Sequence, residues 1–530
     1  MERSETTSEA DDEADVAADV DTAVVTQAEV QETATRVQEP ADAPEAPAES
    51  PLSWTLLAAA RREISGTAPS LDKAAGPVTT SLAESVAAQQ ETVVAIPQTP
   101  LLAPLQQLPV VGPLFVTPVV AVIKQVPFVG DILHPIIGYP LGLTGGTTPR
   151  DVKVISFDGT PIYVHFFPAQ GTAAGKPAPT ILNGPGLSLP GETNPLAETN
   201  PFLPNQVIGM APLLRNGYNV VTWDPRGEWS SGGQLEIDSP DFEARDMSAI
   251  ISWLATQPEV SLDVPGDPRI GMVGASYGGG IQLVTAAIDP RVDAIVPTIA
   301  WHSLNTSLYK DQAFKSSWGS LLTAALTFTG ARANPRILPA AIWGLLTGTV
   351  SQADQDLLDD RGPDELVDNI TAPTLLIQGT VDTLFTLQEA HENAMMLIAN
   401  DVPTKVVWYC GGHGACISST HDGELIEQRT LQWLDRYVKG NELVPTGPQF
   451  EWVDQHGQQF SSGTYPVPQG PDLVASTAAG GVLPLLPFLG GSGPQFRAFE
   501  AGPIQGLLGL LSGAKAANAV NLTVPAATTT

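Results

Sequence analysis

The sequence predicts an α/β fold: a mostly parallel sheet covered by helices on both faces, with a helical cap inserted late in the chain. Two observations carry this. Between residues 150 and 300 short apolar runs alternate with helical patterns, and such alternation closes into a parallel sheet that binds ligands at its strands' carboxyl ends. Between about 299 and 369 the alternation stops, giving way to helical-looking stretches that carry Trp301, Tyr309, Phe314, Trp318, Phe328 and Trp343, and then resumes. An aromatic row at helical spacing is usually core, but a cap over a pocket is built from the same residues.

The elements follow in order. Residues 1–50 hold 15 acidic residues, two arginines and no aromatic, a composition that cannot offset the entropy of ordering, so a disordered acidic tail is expected. Residues 51–66 read as a short amphipathic helix with Trp54, Leu57 and Ala58 on one face and Arg61 and Arg62 at its end; local packing is the commoner role, an envelope surface the alternative. The apolar stretch 97–143 is punctuated by proline, and Pro97, Pro100, Pro104, Pro109, Pro113 and Pro118 would break any membrane-spanning helix over 92–123. It is expected to wrap the catalytic body or dock a partner region. Residues 152–157 and 161–168 form a hairpin closed by Asp158-Gly159. Strands are then expected at 180–182, 219–223, 269–273, 292–298, 374–378 and 405–409. Helices are expected at 207–215, 242–256, 281–288 and from Leu387, with Arg245 and Asp246 on the wet face of the second. The division predicted is tail (1–50), Pro-rich apolar region (51–148), catalytic domain (149–440) and a remnant β region with low-complexity tail (441–530).

The formal net charge of −32 would repel phosphate backbones, which argues against nucleic acid as a partner. The first 30 residues lack the basic start and apolar run of a secretory signal. Cys410 and Cys416 are the only cysteines, too few for a disulfide-built scaffold.

The chemistry is concentrated in three loops. An apolar strand runs into Gly274-Ala275-Ser276-Tyr277-Gly278, the G-x-S-x-G corner that exposes a nucleophilic serine between strand and helix. A serine hydroxyl needs a general base, and the base needs an acid to fix its tautomer. In chain order the acid and then the base should follow the serine. Asp382, in Gly379-Thr380-Val381-Asp382-Thr383, falls between a strand and a helix, and His413, in Cys410-Gly411-Gly412-His413-Gly414, falls just past the next strand. His134, His165, His302, His391, His421 and His456 are read as structural, and Asp224 and Asp246 as weaker candidates for the acid.

The oxyanion donors expected are the N–H of Tyr277 and that of Gly186 or Leu187, in Asn183-Gly184-Pro185-Gly186-Leu187. Arg226, in Asp224-Pro225-Arg226-Gly227, is expected to pair with a carboxylate and hold its loop. Cys410 and Cys416 bracket His413. With His421 they give a Cys/His set whose spacing matches no usual zinc site, so no metal is assigned; a disulfide closing the loop, or two free thiols, remain. The chemistry calls for no cofactor.

Together, Asp224-Pro225-Arg226-Gly227 with Ser231-Gly232, Gly274-Ala275-Ser276-Tyr277-Gly278-Gly279, Asp382 and His413 resemble the Xaa-Pro dipeptidyl-peptidase-like family of α/β-hydrolases, which includes cocaine-esterase-type acyl hydrolases. The resemblance covers about 150 to 465. It implies an α/β-hydrolase fold, a Ser276–Asp382–His413 triad, a helical cap, and hydrolysis of a small ester or peptide amide through an acyl-enzyme. A carboxylesterase or lipase without peptidase activity is the alternative, and an inactive envelope-binding protein a further one. Two departures stand out. Many members use a tyrosine side chain as an oxyanion donor, for which Asn183-Gly184-Pro185-Gly186 has no counterpart. Members also carry a carboxyl-terminal jelly roll, whereas here residues 447–453 look like a lead-in to a domain that is truncated or missing. Residues 51–66 resemble a segment of exported proteins of high-GC Gram-positive bacteria, where it follows a signal peptide and an acidic stretch. That resemblance implies an extracellular or cell-envelope location, with a start codon upstream.

Overall fold

Strands buried on both faces read as near-continuous apolar runs, and this is the pattern of the central strands here. The computed structural model describes residues 93–468, apart from 127, 143–147, 171–175, 201, 415, 417–421 and 455. The acidic tail, the 51–66 segment, His421 and everything after 468 lie outside the described residues.

Eleven strands form one sheet: β1 (Ala95–Gln98), β2 (Arg150–Ile155), β3 (Pro161–Phe167), β4 (Thr180–Gly184), β5 (Asn219–Trp223), β6 (Ile270–Ala275), β7 (Val292–Thr298), β8 (Thr374–Gly379), β9 (Thr404–Tyr409), β10 (Phe450–Val453) and β11 (Gln459–Ser462). Their spatial order is β1-β2-β3-β5-β4-β6-β7-β8-β9-β10-β11. From β5 to β10 neighbours run parallel, while β1, β2, β3 and β11 pair antiparallel at the two edges. The expected hairpin is present, with Arg150 opposite Phe166 and Ile155 opposite Pro161.

Side chains of β6 alternate between two cores. Ile270 and Met272 pack with α6 (Glu243–Leu254), α7 (Tyr277–Ile288) and α12 (Leu387–Ala399), and Val273 and Ala275 pack with α5 (Met210–Arg215) and α13 (Asp422–Tyr437). Both faces are therefore covered, as predicted.

Residues 447–453 include β10, which extends the main sheet, pairing Val406 with Phe450 and Trp408 with Trp452. One expectation is corrected. Asp246 is not on the wet face of α6. It is buried while its neighbour Arg245 is exposed, because Asp246 pairs with the buried Arg226 guanidinium.

The proline-rich region folds as an arm of short helices: α1 (Ala103–Gln106), a π-turn at Gly112–Val116, α2 (Thr117–Lys124), α3 (Val129–Ile132) and α4 (His134–Ile137). Pro sits in the first turn of α1, α2 and α4, where its missing N–H costs nothing, and no helix of the described residues is long and apolar enough to cross a membrane. Lys124 pins the arm to the loop after β4. Its ammonium donates to Gly130 O (2.9 Å), to His134 Nδ1 (2.8 Å) and to Thr193 Oγ1. The other His134 nitrogen meets Asp151 Oδ2 at 2.9 Å, and Asp151 Oδ1 also takes His165 Nδ1 (2.8 Å) and the Tyr139 hydroxyl. His134, Asp151 and His165 bring metal-ligating atoms together. Those atoms already satisfy one another, and the Lys124 ammonium stands where it would oppose a cation.

The predicted cap is helical: α8 (Leu304–Leu308), α9 (Ser316–Thr329), α10 (Ile337–Thr347) and α11 (Gln352–Asp359). A third core of Leu235, Tyr277, Trp301, Leu304, Trp318, Leu384 and Phe385 joins it to the strand ends.

Candidate active site

The corner after β6 forces unusual backbone geometry. Ser276 has φ 55° and ψ −117°, and Gly274 has φ 142°; both angles lie where a side chain is strained. A Cβ on Gly274 would lie 2.8 Å from the carbonyl oxygens of Gly184 and Gly278, and one on Gly278 would lie 2.2 Å from Gly184 O. Both glycines are thus required by close approach of the β4 end, as the motif predicted. Ser276 N donates to Thr298 O at 3.0 Å, and Ser276 precedes α7 as its N-cap, so the helix dipole points at the serine.

The loops after β8 and β9 bring the other two residues to it. His413 Nε2 lies 2.9 Å from Ser276 Oγ, and His413 Nδ1 lies 2.6 Å from Asp382 Oδ2. Asp382 is buried. Its Oδ1 accepts the N–H groups of Leu384 (2.9 Å) and Phe385 (2.8 Å), and Oδ2 also accepts His413 N (3.0 Å). Gly412, at φ 105°, allows this turn, since a Cβ there would lie 2.7 Å from Asp382 Cβ. Cys410 and Cys416 are disulfide-bonded, with Cα atoms 5.4 Å apart, closing the loop that carries His413. Ser276, Asp382 and His413, predicted from three separate loops, therefore meet in one hydrogen-bonded row. Asp224 stands apart from that row, accepting N–H groups of Gly191 (3.0 Å) and Ser230 (2.9 Å).

The loop after β4 is held beside the serine. Leu187 and Tyr277 line the same cavity as Ser276, whereas Gly186 turns its carbonyl to Leu189 N at 3.0 Å. Of the two residues the sequence left open, Leu187 is the one at the cavity wall. Asp224 anchors this loop at Gly191, and Glu228 anchors it at Ser188 N (3.0 Å). Burial pushes the Glu228 carboxyl up to about 8. Arg226 meets its expectation by pairing with Asp158 (2.7 Å) and Asp246 (2.6 Å), which ties the β2–β3 turn to α6.

Several supporting residues carried no signal in the sequence. The His413 ring is met edge to face by Phe385 (centroids 5.1 Å apart) and Trp318 (5.6 Å). Trp318 Nε1 donates to Thr383 Oγ1 at 3.2 Å, and Lys315 Nζ donates to the carbonyls of Thr383 (3.1 Å) and Leu384 (2.8 Å). Burial pushes the Lys315 ammonium down. Gln206 Oε1 accepts from Gly412 N and from Tyr409 Oη, both at 2.8 Å. Of these only Trp318 stands out in the sequence, as one of the cap aromatics; Phe385, Lys315 and Gln206 carry no such mark.

The cavity over Ser276 has a volume of about 120 Å³, and its walls come from the cap together with Leu187, Ile237, Tyr277, Leu384 and Phe385.

A nucleophile corner on a parallel sheet, with acid and base supplied by the two following strands, defines the class as an α/β-hydrolase. Residues 158–414 match the family described as X-Pro dipeptidyl-peptidase (S15 family), so this part of the chain is X-Pro dipeptidyl-peptidase-like, as its motifs indicate. Among curated relatives, uncharacterized protein PA2218 of Pseudomonas aeruginosa is 34% identical over 85 residues, 16% of this chain and 22% of that protein. The polyketide transferase grgF of a Penicillium species is 26% identical over 157 residues, 29% of this chain and 46% of that one. The chain thus spans less than half the length of either relative. Among solved structures, an α-amino acid ester hydrolase aligns with TM-score 0.47 and 16% identity, covering 61% of this chain and 59% of that one. An aminopeptidase from a marine sediment Thaumarchaeota archaeon aligns with TM-score 0.45 and 15% identity, covering 62% and 60%.

Proposed function

We propose that the protein is a serine hydrolase acting through an acyl-enzyme on small carboxylic esters or peptide amides. The observation that carries this reading is the unbroken row from Asp382 Oδ2 through His413 to Ser276 Oγ, at 2.6 and 2.9 Å, opening on a cavity. Ser276 Oγ bonds to the substrate carbonyl carbon as its proton passes to His413 Nε2. The N–H of Tyr277, at the start of α7, and that of Leu187 receive the oxyanion. The tetrahedral centre then expels the alcohol or amine, which takes the proton from His413 and leaves the acyl group as an ester on Ser276 Oγ. Water repeats the sequence: it gives a proton to His413 and its oxygen to the acyl carbon, and Ser276 leaves with the proton. Asp382 keeps Nδ1 protonated and the ring aimed.

A fluorophosphonate probe tests this directly. The wild-type protein should be labelled and Ser276→Ala should not, while folded wild-type protein that resists labelling would overturn the proposal.

Location outside the cytoplasm, at the cell envelope, is the second part of the reading. The Cys410–Cys416 bond fits an oxidising compartment, and the arm exposes Leu101, Val110, Leu114, Phe115, Val119 and Val122. Fractionation of the producing cells tests it, and recovery wholly in the cytosol would sink it.

A further inference from the structure

The hydrolase reading leaves open which acyl group Ser276 takes, and the cavity walls bear on that. From Ser276 the cavity runs beneath the cap, where Leu322, Leu326, Ile337, Ala340, Leu358 and Phe385 are among its walls. Among the described residues one carboxylate reaches it, that of Asp354, and it is already paired: Oδ1 accepts from Arg336 at 3.0 Å and Oδ2 from the Ser351 hydroxyl at 2.6 Å. A dipeptide substrate brings a terminal ammonium, which needs a carboxylate to replace its water; the one here is neutralised by a guanidinium that would oppose a second cation. An aliphatic chain needs only apolar contact, and each buried methylene contributes about 0.8 kcal/mol.

One wall of the cavity is α10, Ile-Leu-Pro-Ala-Ala-Ile-Trp-Gly-Leu-Leu-Thr, without a charged residue on any face. Ile337, Ala340 and Ala341 line the cavity, and Leu338, Ile342, Trp343 and Leu346 face outward. Small residues at 340 and 341 leave room where larger ones would fill it.

Resting on the hydrolase reading, we infer that the substrate is an ester of a medium-length aliphatic acid, whose chain lies between α9, α10 and α11, with Ala340 setting the length accepted.

The test is a series of p-nitrophenyl esters from acetate through butyrate and octanoate to palmitate, run on the full chain beside Ala-Pro-p-nitroanilide and a fluorophosphonate label. The expected result is a kcat/KM that rises about tenfold or more from acetate to octanoate and falls again at palmitate, with the dipeptide amide far behind. Ala340→Trp should lower the octanoate-to-acetate ratio by about tenfold. The wild-type series stands even where that variant does not fold. A flat or falling series in protein that still labels at Ser276, a faster dipeptide amide, or a folded Ala340→Trp with an unchanged ratio would overturn the acyl-chain inference alone. Folded wild-type protein that neither labels nor turns over any ester overturns the hydrolase reading beneath it.

Discussion

Asp382 accepts four donors through two oxygens: three backbone N–H groups and the His413 ring. An asparagine there must turn an NH₂ toward donors or abandon the imidazole, and either choice leaves His413 in the wrong tautomer. Asp382→Asn should therefore lower kcat for an ester by about 10³–10⁴, with labelling of Ser276 slowed in parallel. A variant within tenfold of wild type would remove Asp382 from the acid's role. Glu228 makes a second argument at this scale. Its Oε1 accepts Ser188 N while Oε2 is buried without a protein partner, and burial holds the carboxyl near 8, well above the ordinary value. Between about 4.3 and 8 the folded protein binds a proton that the unfolded chain releases, so this group's contribution to stability is complete below the unfolded value and is lost as pH rises through 8. Glu228→Gln keeps the Ser188 acceptor without a charge to bury. It should unfold at a temperature at least about 2 °C higher than wild type at pH 8.5, with the gap closing toward pH 5. Differential scanning calorimetry across that range checks it, and a gap that widens toward acid would refute the assignment.

The loop after β9 is the element on which the site depends most. It must turn at Gly412, pass under Asp382 and present His413 to Ser276, and the Cys410–Cys416 bond closes it in seven residues. Without that bond the loop keeps the Gln206 and Asp382 contacts to its backbone but gains freedom at its carboxyl side. Reduction, or Cys416→Ser, should lower kcat by about tenfold with far-UV circular dichroism unchanged, since small displacements of a catalytic group are costly. Turnover that survives excess dithiothreitol would show that the glycines and Asp382 position His413 without help. Much at this scale was legible in the sequence. Asn219–Trp223 and Val292–Thr298 form strands with the predicted limits, because an apolar run between turn residues has few other readings. Ser276, Asp382 and His413 were legible because each follows a strand in the order the corner requires. Asp246 was misread because hydropathy assigns charge to the wet face and cannot see a guanidinium arriving from Arg226. Glu228, Lys315 and Phe385 were invisible for the same reason: each acts on a group brought near only by the fold.

For the whole molecule, the question is what joins arm, sheet and cap into one unit around the serine. The cap is bound where it matters, Lys315 and Trp318 fastening α9 to the Asp382 loop. The arm is bound at several points: β1 pairs along β2, Asp131 accepts Thr193 N at 2.8 Å, Phe128 packs edge-on against Phe202 and Trp229, and the Lys124–His134–Asp151–His165 network sits behind it. Burial works against the Asp151 charge, but the hydrogen bonds it accepts from His134 and His165 outweigh it and hold the carboxyl far below its ordinary range. Burial, with the Lys124 ammonium beside it, pushes His134 down to about 3, so the imidazole is neutral and its Nδ1 is free to accept from Lys124. Asp151 is thus the one acceptor that orients both histidines and the Tyr139 hydroxyl, and no solvent can replace it. Asp151→Asn should cost about 3–5 kcal/mol in urea unfolding, as expected when one partner of a buried charged network is removed. Because the network joins the arm to β2 and β3 rather than to the serine, the loss should first appear as protease cleavage between 101 and 137. Activity per folded molecule should stay near wild type, since no group of the network touches Ser276, Asp382 or His413. Equal resistance to cleavage in variant and wild type would mean that β1, Asp131 and Phe128 hold the arm without the network.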